Sequence, residues 1–311
     1  MGAPFGVVPR LEATALSHEC PWLELDVWDE SDDPLERLAK RMDLASRPAV
    51  LVGEGLRTAA LLRLAEQARC RPAAAALGAI RAVKDEDEIH ALEIAGSHAD
   101  QVVEATADFL RAGMTEREVA AFAMARFESL GDRSPWVIVA AGPNSALPHH
   151  FTSERELSKG DVVVLDLGAF THDYASDITR VYFLGEPDGE AARVYEVVNR
   201  ARAAGIAAVR AGIPAEDVDR AARGVIAAAG YGEYFVHRTG HGLGLEIHEP
   251  PYLVTGNRAP LMAGMVHSVE PGIYLPGRFG VRLEDIVRVG ETEAHRLNQA
   301  PFDPRPPRLR S

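Results

Sequence analysis

The chain has 311 residues, of which 47% are hydrophobic and 25% charged, a balance that is ordinary for a soluble globular protein. Its net charge of −13 excludes nucleic acid as an expected partner, because phosphate binding requires a basic surface. No apolar run approaches the ~20 residues that cross a bilayer, and the first residues do not read as a signal peptide. Cys20 and Cys70 are therefore expected to be free thiols in a reducing cytoplasm.

The two ends of the chain differ from its middle. Residues 1–77 alternate strand patterns, such as 23–27 and 49–53, with helical patterns such as 56–67. This alternation predicts a separate small α/β domain, with helices packed on a short sheet. Residues 301–311 are rich in proline and arginine and are predicted to be disordered.

Residues 78–300 are predicted to form one large domain. A long helix begins at the acidic residues 85–88 and continues to about residue 111, and Thr115 with Glu118 forms a capping box for a second helix. The elements predicted after these are strands over 136–141 and 161–166 and helices over 189–211 and 214–230. Helices followed by strands, twice over, predict an α+β fold with a curved antiparallel sheet and outer helices.

An internal repeat places acids at equivalent positions. The segment GDVVVLDLG, which contains Asp166, aligns without gaps on GMVHSVEPG, which contains Glu270. A second acid follows in each copy, Asp177 in the first and Glu284 in the second. Internal repeats of this kind indicate two supersecondary units that pack together, here with their acids meeting at the junction.

The four acids and one histidine suggest a metal centre. A single Asp at the end of an apolar run is more often a turn or cap residue, but acids at matched positions in two copies are hard to explain in that way. Buried carboxylates must be paired or bind a cation, and a set of oxygen ligands with the imidazole of His241 suits Mn(II), Co(II) or Zn(II). Four carboxylates exceed the need of one divalent ion, so the set predicts a hydrolase centre with two metals.

Several motifs extend this interpretation to a family. Over about residues 78–298 the chain contains SALPHH, LDLGA, SDITR, HRTGHGLGLEIHE, VEPGIY and GVRLED, and it resembles the pita-bread metallopeptidases. SALPHH, VEPGIY and GVRLED resemble the Xaa-Pro branch, which comprises prolidase and aminopeptidase P, more than methionine aminopeptidase. The resemblance implies a pita-bread fold of two pseudo-symmetric repeats, preceded by a shortened amino-terminal domain.

The resemblance also implies a role for each ligand. Asp166 would bind one metal ion, Asp177 and Glu284 would bridge both ions, and His241 and Glu270 would complete the other site. Glu270 would also act as a general base. The cofactors implied are two divalent ions per subunit, with Mn(II) expected and Zn(II) or Co(II) as alternatives.

Other residues match family positions in the substrate cleft. His149 and His248 would act in catalysis by binding the substrate carbonyl or moving a proton to the leaving nitrogen, and His237 would bind substrate. Arg282 would pair either with a metal carboxylate or with a substrate carboxyl group. The role of His267 is open between the core and support of the metal centre.

Three glycines alternate beside the predicted metal histidine. Gly240, Gly242 and Gly244 would weaken a strand, so we expect backbone there to approach the substrate or a metal closely.

These residues predict hydrolysis of the peptide bond before proline. Xaa-Pro dipeptides are the expected substrates, and aminopeptidase P activity on longer peptides is the alternative. A dipeptidase must read the free carboxylate, for which Arg282, Arg258 and Arg278 are candidates. A non-catalytic binding protein and a metal-free creatinase-like hydrolase are further alternatives, although both are expected to lack ligands that are present here. The resemblance also implies a homodimer.

Overall fold

The computed structural model describes residues 3–53 and 55–306. The chain divides into two compact units, Met1–Ala79 and Ile80–Ser311, close to the boundary expected after residue 77. Among the described residues, none of the helices combines the length and apolar character that a membrane crossing requires.

The smaller unit alternates strands with helices. Its elements are β1 Phe5–Pro9, α1 Arg10–Glu19, β2 Glu24–Trp28, α2 Pro34–Arg41, β3 Ala49–Val52, α3 Thr58–Gln67 and β4 Arg69–Pro72, and α4 Ala74–Ala82 crosses the division between the units. Strand β1 pairs with β2, and β3 pairs with β4, both in parallel. A small core of Leu44, Leu64 and Ala68 lies between the helices and the second pair of strands.

The larger unit contains two copies of one arrangement. The first copy comprises α5 Glu86–Phe109, α6 Glu116–Ser129, β5 Arg133–Ala141, β6 Val162–Thr171, β7 Tyr174–Ala175 and β8 Ile178–Phe183. The second comprises α7 Gly189–Ala208, α8 Ala215–Ala228, β9 Gly240–Gly242, β10 Glu249–Leu253, β11 Val266–Val269, β12 Gly272–Leu275, β13 Phe279–Arg282, β14 Asp285–Val289 and β15 Ala294–Arg296. Each copy therefore begins with two helices and continues with strands, as the repeat predicts.

Antiparallel strand pairing explains how the acids meet. In the first copy β6, which contains Asp166, pairs with β8, and Asp177 immediately precedes β8. In the second copy β11 ends one residue before Glu270 and pairs with β14, which Glu284 immediately precedes. The Glu284 backbone N–H donates to the carbonyl of Thr179 at 3.2 Å and joins the two copies. The same local geometry, used twice, thus brings all four acids to one place.

The alternating glycines have a different cause from the one expected. A Cβ atom at Gly240 would lie 2.1 Å from the carbonyl oxygen of Ser268, and one at Gly242 would lie 2.3 Å from that of Pro250. Backbone of neighbouring strands, and not a substrate or metal, fills the space that a side chain would need. The expected reason for these two glycines is therefore wrong, although close approach of backbone does explain them.

Residues 301–306 are ordered, so the prediction of disorder is wrong for them. The guanidinium carbons of Arg180 and Arg202 lie 3.9 and 3.6 Å from the ring centre of Phe302. The Phe302 carbonyl accepts a hydrogen bond from the hydroxyl of Tyr195 at 2.9 Å. One aromatic residue between two cations fixes a segment whose composition alone is typical of disorder. The rest of the predicted tail, 307–311, lies outside the described residues.

Replacing this aromatic ring tests how firmly the segment is held. We expect Phe302→Ala to lower the free energy of unfolding by about 1–2 kcal/mol, because the cation–π contacts of the ring with Arg180, Arg202 and Arg296 are lost. Urea denaturation measures the change, and Pro301→Ala at the exposed neighbouring position is the control. Equal stability of the two variants would show that the ring contributes nothing.

Candidate metal centre

A cavity of about 200 Å³ opens where the acids of the two copies meet. The five predicted ligands all line it: Asp166, Asp177, His241, Glu270 and Glu284. Its apolar walls are Trp136, Ile138, Pro148 and Ile247. The remaining polar lining is formed by His149, His237, Arg238, His248 and Arg282. The structure thus brings together the five predicted ligands, the three predicted cleft histidines and Arg282, and it adds Arg238, which the sequence patterns did not indicate.

The ligand atoms lie within reach of a shared cation. One potential ligand atom from each of Asp177, His241 and Glu284 lies within 4.8 Å of the other two. The His241 Nε2 atom is 3.3 Å from a Glu270 carboxylate oxygen and 3.8 Å from one of Asp177. Asp166, on β6, also lines the cavity and receives a hydrogen bond from Arg282 at 2.5 Å.

The electrostatics of this cluster oppose burial of the acids as bare anions. Burial and then the charges of neighbouring acids raise the pKa of Asp177 and of Glu284 well above the usual carboxyl range. Burial likewise raises the pKa of Glu270. For His241, burial lowers the pKa to about 4, and the positive charge of Arg238 adds to the effect. The imidazole is therefore neutral at physiological pH, which is the form that binds metal.

Two buried carboxylate oxygens show that the donor set fits a cation. Among the residues described, Oδ1 of Asp177 and Oε1 of Glu284 have no hydrogen-bond partner although both are buried. Buried polar atoms are almost always satisfied, so such atoms indicate a missing partner. Three carboxylate oxygens and one neutral imidazole nitrogen within a few ångströms are the donors that Mn(II), Co(II) or Zn(II) accept.

Hydroxyl groups orient the ligands, and the sequence analysis missed them. The Ser268 hydroxyl donates to Glu270 at 3.0 Å and accepts from the backbone N–H of His241 at 3.0 Å. The Thr179 hydroxyl donates to the second carboxylate oxygen of Glu284 at 2.7 Å. The Nδ1–H of His241 donates to the carbonyl of Gly242 at 3.1 Å, which leaves Nε2 free to face the cavity.

The structure favours the first of the two expected roles for Arg282. Besides Asp166, its guanidinium donates to the hydroxyls of Thr179 and Tyr274 and to the carbonyl of Pro148, at 2.8–3.3 Å. Arg282 is 5% exposed. It therefore binds a ligand carboxylate and the cavity wall.

The two loop arginines proposed as carboxylate readers do not line the cavity. Arg258 is highly exposed and pairs with Glu216 at 3.5 Å, and Arg278 pairs with Glu190 at 2.6 Å. The expectation that either one reads a substrate in this cavity is wrong. Their sequence positions, in loops near the ligands, did not reveal that their side chains turn to acids on helices.

The histidines differ in how many ring nitrogens are available. His149 and His248 line the cavity, and the His248 ring meets His241 edge-on with centres 4.2 Å apart. Both nitrogens of His237 are engaged: Nδ1–H donates to the carbonyl of Arg238 at 2.7 Å, and Nε2 accepts from the Tyr274 hydroxyl at 2.8 Å.

His267 belongs to the core beside the metal centre. It is fully buried in β11, directly opposite Gly242, and its Nδ1–H donates to the carbonyl of Ser268 at 2.9 Å. It does not line the cavity. Burial lowers its pKa to about 4, so it packs as a neutral side chain behind the ligands.

Comparison with known proteins identifies the class. The model of metallopeptidase family M24 matches residues 90–291. The chain therefore belongs to metallopeptidase family M24, and its larger unit has the pita-bread fold, as the motifs predict.

Individual relatives agree with this. A protein named "Probable dipeptidase PepE" from Mycobacterium tuberculosis is 44% identical over 309 residues, which cover 97% of this chain and 82% of that protein. The crystal structure of dipeptidase PepE from Mycobacterium ulcerans has a TM-score of 0.91 at 41% identity, covering 98% of this chain and 84% of that one. A prolidase from Thermococcus sibiricus has a TM-score of 0.90 at 36% identity, covering 97% and 84%.

Removing one buried charge tests whether the cluster is built for cations. Because the pKa of Asp177 is raised on folding, its ionised form costs stability at neutral pH in metal-free protein. We expect Asp177→Asn to stabilise the metal-free protein by on the order of 1 kcal/mol, equivalent to about one pKa unit. We also expect it to lose most of the rise in melting temperature that Mn(II) produces in the wild type.

The matched control is Asp173→Asn, since Asp173 is an exposed acid whose side chain is 72% accessible. It should leave both the metal-free stability and the response to Mn(II) unchanged. A wild-type response to Mn(II) in Asp177→Asn would exclude Asp177 as a ligand.

Proposed function

We propose that this chain is a two-metal peptidase that cleaves the peptide bond before proline in Xaa-Pro dipeptides. The observation that carries this proposal is the cluster of four carboxylates around one buried, neutral imidazole, in which two buried carboxylate oxygens lack hydrogen-bond partners among the described residues. None of the five expected ligands is missing, which argues against a non-catalytic or metal-free relative.

The ligands would divide between two ions as the family resemblance implies. Asp166, on β6, would bind one ion, and His241 with Glu270, whose ligand atoms lie 3.3 Å apart, would bind the other. Asp177 and Glu284, each with an oxygen free of hydrogen bonds, would bridge the pair. When bound, two such ions lower the pKa of a water molecule and polarise the scissile carbonyl.

Side chains that line the cavity would carry out the proton transfers of the reaction. Glu270, held through Oε1 by Ser268, would accept a proton from the attacking water. His248 and His149 line the cavity, and they would bind the carbonyl and deliver a proton to the leaving nitrogen. His237, whose nitrogens are both engaged, would instead fix Tyr274 and the cavity wall beside the substrate.

The apolar walls support the preference for proline. The pyrrolidine ring has no N–H to satisfy, so an apolar surface accommodates it without leaving a polar group unpaired. Trp136, Ile138, Pro148 and Ile247 provide such a surface on the same cavity. A prolidase is also among the structures that this chain resembles over almost its whole length.

The size of the cavity favours dipeptides over longer peptides. Its volume of about 200 Å³ is below the ~300–1,000 Å³ of sites for drug-sized ligands. Two of the relatives described above are named dipeptidases. We further propose, from family resemblance, Mn(II) as the metal, with Zn(II) or Co(II) as alternatives, and a homodimer in the cytoplasm.

A substrate panel tests this function. We expect Mn(II)-loaded protein to cleave Ala-Pro faster than Ala-Ala, Ala-Pro-Ala or Met-Ala-Ser, and a chelator to abolish the activity until Mn(II) is restored. Preference for Ala-Pro-Ala would instead establish aminopeptidase P activity. Preference for Met-Ala-Ser over both proline substrates would overturn the proline assignment.

A histidine variant tests the proton-transfer step. We expect His248→Ala to lower kcat for Ala-Pro by ~100- to 10,000-fold, the usual range for loss of an acid–base group. His90→Ala, at a histidine whose side chain is 74% exposed, is the control and should keep full activity. Unchanged kcat in His248→Ala, in protein that still responds to Mn(II), would remove His248 from the mechanism.

A further inference from the structure

Two arginines line the cavity, and only one of them uses its guanidinium N–H groups in hydrogen bonds with the described part of the protein. Arg282 donates to Asp166, Tyr274, Thr179 and a backbone carbonyl. Arg238 is half-buried, and within the described part of the chain its guanidinium has neither a hydrogen bond nor an ion pair. A guanidinium that faces a cavity with its donors unused is able to bind an anionic ligand bidentately.

Arg238 is held in place without using its donors. Its guanidinium carbon lies over the ring of Tyr252, 4.5 Å from the ring centre, so the aromatic face supports the cation. Tyr252, on β10, is paired directly with His241, on β9. A guanidinium that stacks through its face keeps the N–H groups along its edge available to a carboxylate.

The backbone around Arg238 is also fixed. Its carbonyl accepts from His237 at 2.7 Å. The next residue, Thr239, donates through its backbone to Leu253 at 2.9 Å, and its carbonyl accepts from the backbone N–H of Glu270 at 2.8 Å. These bonds attach Arg238 to the same strands that hold the ligands, so its distance from the metal centre is set by the sheet.

The overall charge of the loaded cavity favours an anion at this place. Four carboxylates balance two divalent ions, so Arg238 and Arg282 together would leave the loaded cavity with a net positive charge. Arg282 already donates to Asp166. Arg238, by contrast, pairs with none of the acids in the described part of the chain, so an anionic ligand would be bound most favourably there.

We infer that Arg238, supported by Tyr252, binds the free carboxylate of the dipeptide substrate and so restricts the enzyme to dipeptides. This inference rests on the proposed function and names the residue that gives it its length specificity. A longer peptide carries a neutral amide at that position, and the amide cannot accept the two parallel charge-assisted hydrogen bonds. Discrimination would then come from charge recognition and from the small volume of the cavity together.

Binding of the product separates this inference from catalysis. Isothermal titration calorimetry on Mn(II)-loaded protein would compare L-proline with L-prolinamide, which differ only in the carboxylate. We expect the wild type to bind proline more tightly by at least about tenfold. Arg238→Gln should weaken proline binding by roughly 10- to 100-fold and leave prolinamide binding unchanged, because one charge-assisted pair is lost.

Three further variants define the mechanism of recognition. Arg238→Lys should restore only part of the affinity, since lysine keeps the charge but not the planar fork. Tyr252→Leu should weaken proline binding less than Arg238→Gln does, because the cation stays but loses its support. Arg258→Gln, at an exposed arginine outside the cavity, should match the wild type. The rise in melting temperature with Mn(II) verifies that each variant is folded.

Kinetics complete the test. The ratio of kcat/KM for Ala-Pro to that for Ala-Pro-amide should fall toward one in Arg238→Gln. Equal loss of proline and prolinamide binding, or an unchanged ratio, would overturn the role of Arg238 while leaving prolidase activity established. If the wild type cleaves neither substrate, the proposed function fails, and the proline–prolinamide comparison still decides whether Arg238 reads a carboxylate.

Discussion

The gathering of four carboxylates around one buried imidazole, with Asp177 and Glu284 themselves buried, is the constraint on which the larger unit depends. Burial and mutual repulsion raise the pKa of Asp177, Glu284 and Glu270, so the fold gains nothing from ionising them unless cations are present. A protein selected only for stability would replace such acids with apolar side chains. The destabilising cluster is therefore best explained by metal binding. The hydroxyls of Thr179 and Ser268 each bond one carboxylate oxygen, of Glu284 and Glu270 respectively, and leave the second oxygen of each group for a cation.

Duplication offers a simple way to build a site for two ions. One unit of paired antiparallel strands places an acid on the first strand and another just before the second strand. Two such units, joined where the Glu284 backbone bonds to Thr179, bring two pairs of acids together across one cavity. His241, contributed by an additional strand of the second copy, breaks the symmetry of the four acids. In the proposed centre, this neutral imidazole would make the two metal positions chemically different.

The sequence revealed what depends on residue type and spacing, and it failed where contacts depend on register between strands. The acids were predictable because they recur in an alignable repeat. Ser268 and Thr179 were not, since a hydroxyl becomes a ligand's partner only through the pairing of strands distant in sequence. The segment around Phe302 was predicted to be disordered because composition does not show that its ring packs against two buried arginines, Arg180 and Arg202. The fold and the cluster of acids could thus be predicted from the sequence, whereas the hydrogen bonds that orient those acids could not.

The same limitation explains why the wrong arginines were considered as carboxylate readers. Proximity in sequence to the ligands favoured Arg282, yet at the end of strand β13 its guanidinium donates to Asp166 and pairs with that carboxylate. Arg238 lies only three residues before His241, but its importance depends on Tyr252, which strand pairing brings opposite that histidine. Arg282 is buried and its guanidinium is engaged in hydrogen bonds, whereas Arg238 lies over an aromatic ring with its N–H donors available. The cation–π contact holds Arg238 without using its N–H donors. Those donors can therefore bind an anionic ligand without competition from an acid of the protein.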